Sequence, residues 1–252
     1  MKLVYDYQIF SSQKYGGISR YFYETATRIA KYEQFEVTIL ALIYSNEYVR
    51  HCDEDLVIGK HVYHVPKTRI IKRLVNTEIS RWWMKKNKPD IVHETYYSYR
   101  RMSPKNTKTV ITVYDMIHEK FGHHFSKLDN TSFLKAKSLK RADHIICISE
   151  NTNKDLLETL HINPRKVSII HLGYMKKQTE YQLTTPVIKE PYILYVGNRN
   201  AWKNFQGFLK AFSISQRLNS NFKVVCFGGG DLSRKELEAN RKHNVKEQNI
   251  IH

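Results

Sequence analysis

No run of this sequence is apolar for long enough to cross a bilayer. The longest, around residues 37–44, falls far short of the roughly 20 residues a span requires. The N-terminus also lacks a basic segment followed by an apolar one, passing straight into a strand-like run over 3–10. Secretion and integral insertion are both disfavoured, and a cytoplasmic setting is expected. Cysteine is scarce. Cys52, Cys147 and Cys226 are odd in number and far apart, the last two inside strand-like apolar runs, so they read as reduced core residues and not as a disulfide framework. No Cys-x-x-Cys occurs, His123 and His124 are adjacent, and His61 and His64 lack a supporting cluster, so no metal site is expected. A dinucleotide fingerprint is missing as well, because Gly-Gly-Ile-Ser-Arg-Tyr at 16–21 does not supply G-x-G-x-x-G. Neither a Ser/His/Asp nucleophile signature nor an internal repeat is found.

Acidic residues are outnumbered, 24 Asp and Glu against 41 Lys and Arg, which gives a net charge of +17 and implies attraction to a polyanion. A nucleic-acid fold signature is absent, so no specific nucleic-acid partner is expected. The densest basic tract is 67–88. Its Arg69, Lys72, Arg73, Arg81, Lys85, Lys86 and Lys88 surround a helix expected over 72–86 with Val75, Ile79, Trp82 and Trp83 on its apolar face. A core-facing stripe with a solvated basic face is the commoner arrangement. An anionic membrane surface is the alternative partner.

What is present is 41% hydrophobic and 12% aromatic residues, enough to build sizeable cores. Runs rich in Val, Ile and Tyr alternate with helical periodicity, which predicts an α/β protein with parallel sheets covered on both faces. Strands are expected at 2–7, 36–42, 62–65, 90–93, 109–113, 144–148 and 166–171, and helices at 19–31, 72–86, 131–141 and 151–160. Polar Ser149 to Asn151 supply the start signal of the last helix. A polar linker over 174–190 separates domain 1–173 from a second unit, 191–252. That unit has a strand from Tyr192, a helix over 204–216, a strand over 222–227, a glycine turn and a helix from Leu232.

The most informative segment is 192–208, YILYVGNRNAWKNFQGF. An apolar strand stops at Gly197, passes a polar loop with Arg199 and Lys203, and re-enters helical periodicity at Phe205. Such a corner suits an anion: a helix N-terminus presents unpaired N–H groups and partial positive charge, to which Gly197 adds close backbone approach and Lys203 a full charge. A turn glycine with two solvated cations is the plain alternative. Gly16 and Gly17 sit at a similar corner after the first strand, and Gly228 to Gly230 at a third, where turns needing positive φ are the favoured reading. His93 is placed at the carboxyl end of its strand, where open α/β sheets face their ligands, and Asp115 and His118 follow the next strand in the same way.

The string Val-Gly-x-Arg-x-x-Trp-Lys-Asn-Phe resembles the donor-phosphate loop of the retaining glycosyltransferases of family four, which have the two-domain GT-B fold. Three further segments fit in the right order: Tyr-Gly-Gly-Ile-Ser-Arg-Tyr at 15–21, Val-Tyr-Asp-Met-Ile-His-Glu at 113–119, and Ala-Asp-His-Ile-Ile-Cys-Ile-Ser-Glu-Asn-Thr at 142–152 running on to His171-Leu172-Gly173. The resemblance covers nearly the whole chain. It implies a GT-B type fold, a Rossmann-like N-terminal domain on the acceptor side followed by an incomplete second Rossmann-like domain on the donor side.

The resemblance further implies transfer of a hexose, with mannose as the guess from relatives, from a nucleoside-diphosphate sugar to a glycan or lipid-linked acceptor with retention. Relatives neutralise the leaving diphosphate without a metal, so no cofactor is expected. Catalytic roles fall on His93 and Asp115; donor-diphosphate contacts on Gly16, Gly17, Gly197, Arg199 and Lys203; acceptor or sugar contacts on His118 and Ser149; and a nucleoside loop on Gly228 and Gly229. Many relatives work at the inner membrane face, which raises the membrane alternative for the basic tract. Two departures stand out. Trp202 occupies the position before the lysine where an arginine is common, leaving the second charge to Arg199. The family's two glutamates eight residues apart are missing, since only Glu236, Glu238 and Glu247 follow the linker. The resemblance therefore also reads as a member lacking the second half of its donor domain, with catalysis by these residues alone in doubt and a binding or scaffolding role as the alternative.

Overall fold

A computed structural model describes residues 1–63, 68–174, 188–199, 201–234, 236–238 and 250–251. The chain divides into two compact units, Met1–Tyr174 and Met175–His252. Most of the expected linker, 175–187, lies outside the described residues, as do Lys67, Glu247 and the 64–65 part of one expected strand.

The first unit alternates β1 (Lys2–Tyr5), α1 (Gln8–Ser12), α2 (Gly17–Ile29), β2 (Glu36–Tyr44), α3 (Glu47–Arg50), β3 (Val57–His61), α4 (Arg69–Asn87), β4 (Ile91–Glu94), β5 (Lys108–Val113), α5 (Ile117–Lys120), α6 (Thr131–Arg141), β6 (His144–Cys147), α7 (Glu150–Thr159) and β7 (Val167–Ile169). The strands form one parallel sheet in the order β3-β2-β1-β4-β5-β6-β7. Its central strands are fully buried where they are purely apolar: Val4, Tyr5, Ile39, Leu40, Val92, Ile111, Val113 and Ile145 are at most 2% exposed. Start and stop chemistry is local. Ser149 Oγ accepts the Thr152 N–H at 3.1 Å and opens α7. Lys88, at φ 47, closes α4 in the left-handed conformation just before Pro89.

Three expectations for this unit are corrected. The first strand ends at Tyr5, and the run that continued its apolar character turns into α1, which buries Ile9 and Phe10. The third strand is 57–61, and residues 62 and 63, where it was expected to begin, are loop. Val57 and Ile58 pair with Ile39 and Leu40, and Gly59 lets the chain cross the register shift beyond Leu40: a Cβ there would stand 1.8 Å from the Ala41 carbonyl oxygen. The third concerns α4. Its inward face is Asn76, Ser80 and Met84, each fully buried; of the expected apolar face, Trp83 packs against the core and Val75 is half-buried, whereas Ile79 and Trp82 are exposed. Asn76 replaces a missing strand partner at the irregular stretch of β2: its Oδ1 accepts Ile43 N–H at 3.0 Å and its Nδ2 donates to Ile43 C=O at 2.9 Å. A helix that must satisfy a sheet backbone presents a polar residue inward, which hydrophobic periodicity does not foresee.

The second unit contains β8 (Tyr192–Val196), α8 (Phe205–Ile214), α9 (Gln216–Asn221), β9 (Lys223–Phe227) and β10 (Ile250–Ile251), with a parallel sheet in the order β10-β9-β8. Phe205, Leu209 and Phe212 of α8 pack on Val224, Cys226 and Ile250. Among the described residues, the side of this sheet away from α8 exposes Leu194, Val196 and Phe227. No helix among the described residues is long and apolar enough to cross a membrane.

Candidate active site

The candidate residues gather in two clusters, one in each unit. In the first, they stand at the carboxyl edge of the seven-stranded sheet, whose order reverses between β1 and β4. Asp6 follows β1 and Thr95 follows β4, and they lock this switch point together. Asp6 Oδ1 accepts the Thr95 N–H at 2.8 Å and the Thr95 hydroxyl at 2.6 Å, while Oδ2 accepts from Gln8 Nε2 at 2.7 Å. Burial raises the Asp6 carboxyl above the ordinary carboxylate range against the pull of those hydrogen bonds.

His93 lies behind that edge and is only 5% exposed. Its ring stacks on Tyr5 at 5.4 Å, is met edge-on by Phe22 at 5.0 Å, and places Nε2 2.9 Å from Thr112 Oγ1. Burial holds its pKa down at about 3, so the imidazole is neutral. Its side chain thus makes the local hydrogen bond of an interior histidine.

The Asp115 loop is nearer the surface. Asp115 Oδ1 accepts the Ile117 N–H at 3.1 Å, and its backbone carbonyl accepts from Lys135 Nζ at 2.9 Å. Lys135 is itself buried, 1% exposed, donates to Glu119 Oε2 at 2.7 Å and lies 5.5 Å from the Tyr97 ring centroid. A buried ion pair on α5 and α6 therefore fixes the Asp115 backbone. His118 stacks on Phe125 at 4.0 Å with Asp129 3.7 Å away, and Ser149 serves as the cap of α7 described above. Gly16 opens α2, and Gly17 is exposed with no atom within 4 Å of where a Cβ would stand. The Gln13 Oε1 accepts the Ser19 N–H at 3.3 Å, so a side-chain amide already occupies part of that helix start.

In the second unit Gly197, at φ 114, ends β8 and its N–H donates to Phe227 C=O at 2.8 Å, which holds the loops after β8 and β9 side by side. Gly228, Gly229 and Gly230 have φ of 88, 80 and 69, conformations that other residues adopt only with strain. Arg199 ties this glycine loop down. Its Nη1 donates to Gly228 C=O at 3.0 Å, and its Nη2 to the carbonyls of Gly230 at 2.8 Å and Asp231 at 3.0 Å. Nε donates to Glu236 Oε1 at 2.7 Å, and the guanidinium carbon stands 5.9 Å from the Phe205 ring. At 3% side-chain exposure, Arg199 stands as the staple of the loop and not as an open cation. Lys203 is exposed and, among the described residues, has no hydrogen-bond or ion-pair partner. It stands two residues before α8, whose capping Asn204 makes no side-chain hydrogen bond and leaves the first N–H groups of that helix available.

A family model described as Glycosyltransferase Family 4 matches residues 15–174, more than half of the chain. The chain belongs to glycosyltransferase family 4. A curated relative from Campylobacter jejuni, N-acetylgalactosamine-N,N'-diacetylbacillosaminyl-diphospho-undecaprenol 4-alpha-N-acetylgalactosaminyltransferase, is 26% identical over 130 residues, 51% of this chain. The match spans 34% of that relative's own length. Among solved structures, WaaG, a glycosyltransferase involved in lipopolysaccharide biosynthesis, matches with a TM-score of 0.62 at 14% identity, covering 99% of this chain and 69% of that one. The lipopolysaccharide outer core galactosyltransferase WaaB matches with a TM-score of 0.56 at 15% identity, covering 100% and 67%. At such identities the likeness is one of fold, and the fold of this family 4 chain is the GT-B type.

Sequence reasoning did not single out Asp6, Gln13, Lys135 or Glu236. Only the last carried a legible signal: Ser-x-x-Glu at 233–236 is a capping box. In the structure Ser233 N–H donates to Glu236 Oε2 at 2.7 Å and Glu236 N–H to Ser233 Oγ at 3.3 Å, while the other carboxylate oxygen takes Arg199.

Proposed function

We propose that this protein transfers a hexose from a nucleoside-diphosphate sugar to a lipid-linked or polysaccharide acceptor, with retention at the anomeric carbon. The observation that carries the reading is the corner after β8: a positive-φ Gly197, an exposed Lys203 with no partner among the described residues, and a start of α8 without a side-chain cap, beside a glycine loop held by Arg199. The diphosphate of the donor sits on those N–H groups with Lys203 against its outer oxygens, and the nucleoside lies toward Gly228 and Gly229. As the bond from the anomeric carbon to the diphosphate oxygen breaks, the acceptor hydroxyl forms the new bond on the same face and its proton leaves with the departing phosphate. Lys203 and the helix start stabilise the charge that develops there, with no divalent cation in the role. In the first unit Asp115 and His118 face the acceptor or sugar. His93 acts from behind as a positioning residue, in keeping with its burial. The C. jejuni relative, whose name places its sugar on a diphospho-undecaprenol carrier, supports the lipid-linked acceptor, and the reading places the reaction in the cytoplasm.

The test is transfer of labelled sugar from a panel of UDP- and GDP-sugars, mannose included, to polyprenyl-diphosphate-linked acceptors. NMR of the product then gives the anomer. Transfer with the donor's anomeric configuration is expected; an inverted product, or transfer only from a non-nucleotide donor, contradicts the reading.

A further inference from the structure

The C-terminal half of α2 and the return from α3 to β3 leave a groove of about 670 Å³ between them. It lies within the first unit, and none of the residues lining it belongs to either cluster. Its floor is small and apolar, made of Phe35, Val37 and Leu56, while its walls are polar and carry both signs. On the α2 wall, Glu24 is held by Arg28 at 3.3 Å and by Arg20 at 3.8 Å. On the other wall His51, Asp53 and Asp55 are exposed and, among the described residues, have no side-chain hydrogen-bond or ion-pair partner.

One end of the groove is aromatic. Tyr23 lines it and stacks on Tyr48 with 6.1 Å between ring centroids, and Tyr48 in turn meets Tyr15 edge-on at 5.7 Å. Main-chain contacts build this track: Asn46 Nδ2 donates to Gln13 C=O at 2.8 Å and the Glu47 N–H to Lys14 C=O at 3.0 Å, which pins the start of α3 beside Tyr15. Tyr15 is 63% exposed.

The combination selects a class of ligand. A phosphate-bearing molecule would be repelled by Asp53 and Asp55. A metal ion would lack ligands, since among the described residues no three His, Cys, Asp or Glu side chains are grouped to hold one. An acyl chain would strip water from the carboxylates and from His51 without replacing it. A neutral saccharide meets every demand. The C–H face of a sugar ring packs on the negative face of a tyrosine ring, and its hydroxyls donate to Asp53 and Asp55 and accept from His51, Lys31 and the Tyr23 hydroxyl. The volume falls in the range of roughly 300–1,000 Å³ of small-molecule sites, room for a short oligosaccharide.

We propose that this groove is a second saccharide-binding site, one that holds glycan away from the reacting hydroxyl. Tyr23 stands about 9 Å along α2 from Gly17, at 1.5 Å per residue, so a glycan reaching from the first cluster lies on the tyrosine track. That this glycan is the acceptor's rests on the proposed transfer; that the groove binds a saccharide does not.

Saturation-transfer NMR of the full chain without nucleotide tests it, against neutral trisaccharides of glucose, galactose, mannose, N-acetylglucosamine and N-acetylgalactosamine, followed by calorimetry of those that bind. Binding of at least one is expected. Asp53→Ala/Asp55→Ala should weaken it roughly ten- to a hundredfold, and Tyr23→Phe, which keeps the ring and loses the hydroxyl, about fivefold. Glu78→Ala/Glu158→Ala, a pair of exposed acids elsewhere on the first unit, should change nothing, and unchanged urea midpoints confirm that every variant folds. No binding by any trisaccharide overturns the proposal. So does equal weakening by the two acid pairs, and so does displacement of the saccharide by inorganic phosphate, which would make the groove an anion site. Binding that survives Asp53→Ala/Asp55→Ala but is lost in His118→Ala places the saccharide in the first cluster and overturns it as well. Groove-dependent binding without sugar transfer from any donor supports the groove and counts against the proposed transfer.

Discussion

Arg199 is where a role in holding the loop and a role in holding the ligand can be separated by experiment. Its guanidinium donates to Glu236 and to the carbonyls of Gly228, Gly230 and Asp231 at 2.7 to 3.0 Å. Burial pushes the Glu236 carboxyl up, but hydrogen bonds from Ser233 and Arg199 outweigh that and hold it below the ordinary range. In Arg199→Lys the positive charge stays, but a single ammonium can keep the Glu236 contact and cannot fork to three carbonyls. With side-chain exposures of 3% and 18% for Arg199 and Glu236, the lost contacts should cost about 2–4 kcal/mol of stability. Three consecutive positive-φ glycines then have nothing to order them, and amide exchange over 228–231 should rise without any nucleotide present. Urea unfolding and hydrogen exchange of the two proteins measure both effects, with GDP and UDP calorimetry beside them. If Arg199→Lys leaves stability and loop exchange unchanged yet weakens nucleotide binding as much as loss of Lys203 does, the guanidinium acts on the ligand and the staple argument is wrong.

Three other outcomes follow from buried groups. His93 has a folded pKa of about 3, below its unfolded value of about 6.5. Its contribution is therefore present above pH 6.5 and is lost as pH falls toward 3, at up to about 1.4 kcal/mol per pH unit. His93→Gln should flatten that dependence in urea unfolding measured across pH, and a slope identical to wild type would contradict the assignment. Asn76→Leu keeps the volume but takes the Asn76 partner from the half-buried Ile43 N–H, while the Ile43 C=O keeps the Ser11 hydroxyl at 2.8 Å, so unfolding should cost about 1–3 kcal/mol less; a loss under about 0.5 kcal/mol would show that water replaces the amide. Lys135→Met should destabilise by about 3–5 kcal/mol because Glu119 is left buried and charged, and Lys135→Met/Glu119→Leu should recover most of it. Additive losses in that cycle would mean that the pair is not coupled.

Much of the architecture was legible because parallel strands buried on both faces are written as apolar runs, and β2, β4, β5, β6, β8 and β9 fall on theirs. The misreadings share a cause: hydrophobicity locates buried side chains but not backbone groups that need partners. Asn76 is turned inward by Ile43, which sends Trp82 and Ile79 outward, and β3 is placed by Gly59, the residue that can lie against Ala41. The sites divide in a similar way. The corners at Gly197 and Gly228 were readable because strand ends and positive φ leave glycine in the sequence. That Arg199 faces main-chain and carboxylate acceptors, while Lys203 has no partner among the described residues, depends on the fold of the loop after β9, which no local pattern encodes. His93 was correctly placed at a strand end, yet the alternation along β4 that aims its ring at Tyr5 and Phe22 does not distinguish interior from crevice.

The central claim, that the corner after β8 cradles a diphosphate, rests on Lys203 more than on any other side chain. Calorimetry of GDP and UDP binding to the wild type, Lys203→Ala and Lys210→Ala tests it most directly. Lys210 is another exposed cation further along α8. A charge-assisted contact contributes about 1.5 to 3 kcal/mol, so Lys203→Ala should weaken binding roughly ten- to a hundredfold and Lys210→Ala hardly at all. Equal weakening by both substitutions would show that the corner attracts nucleotide through general charge alone, and the cradle would not exist.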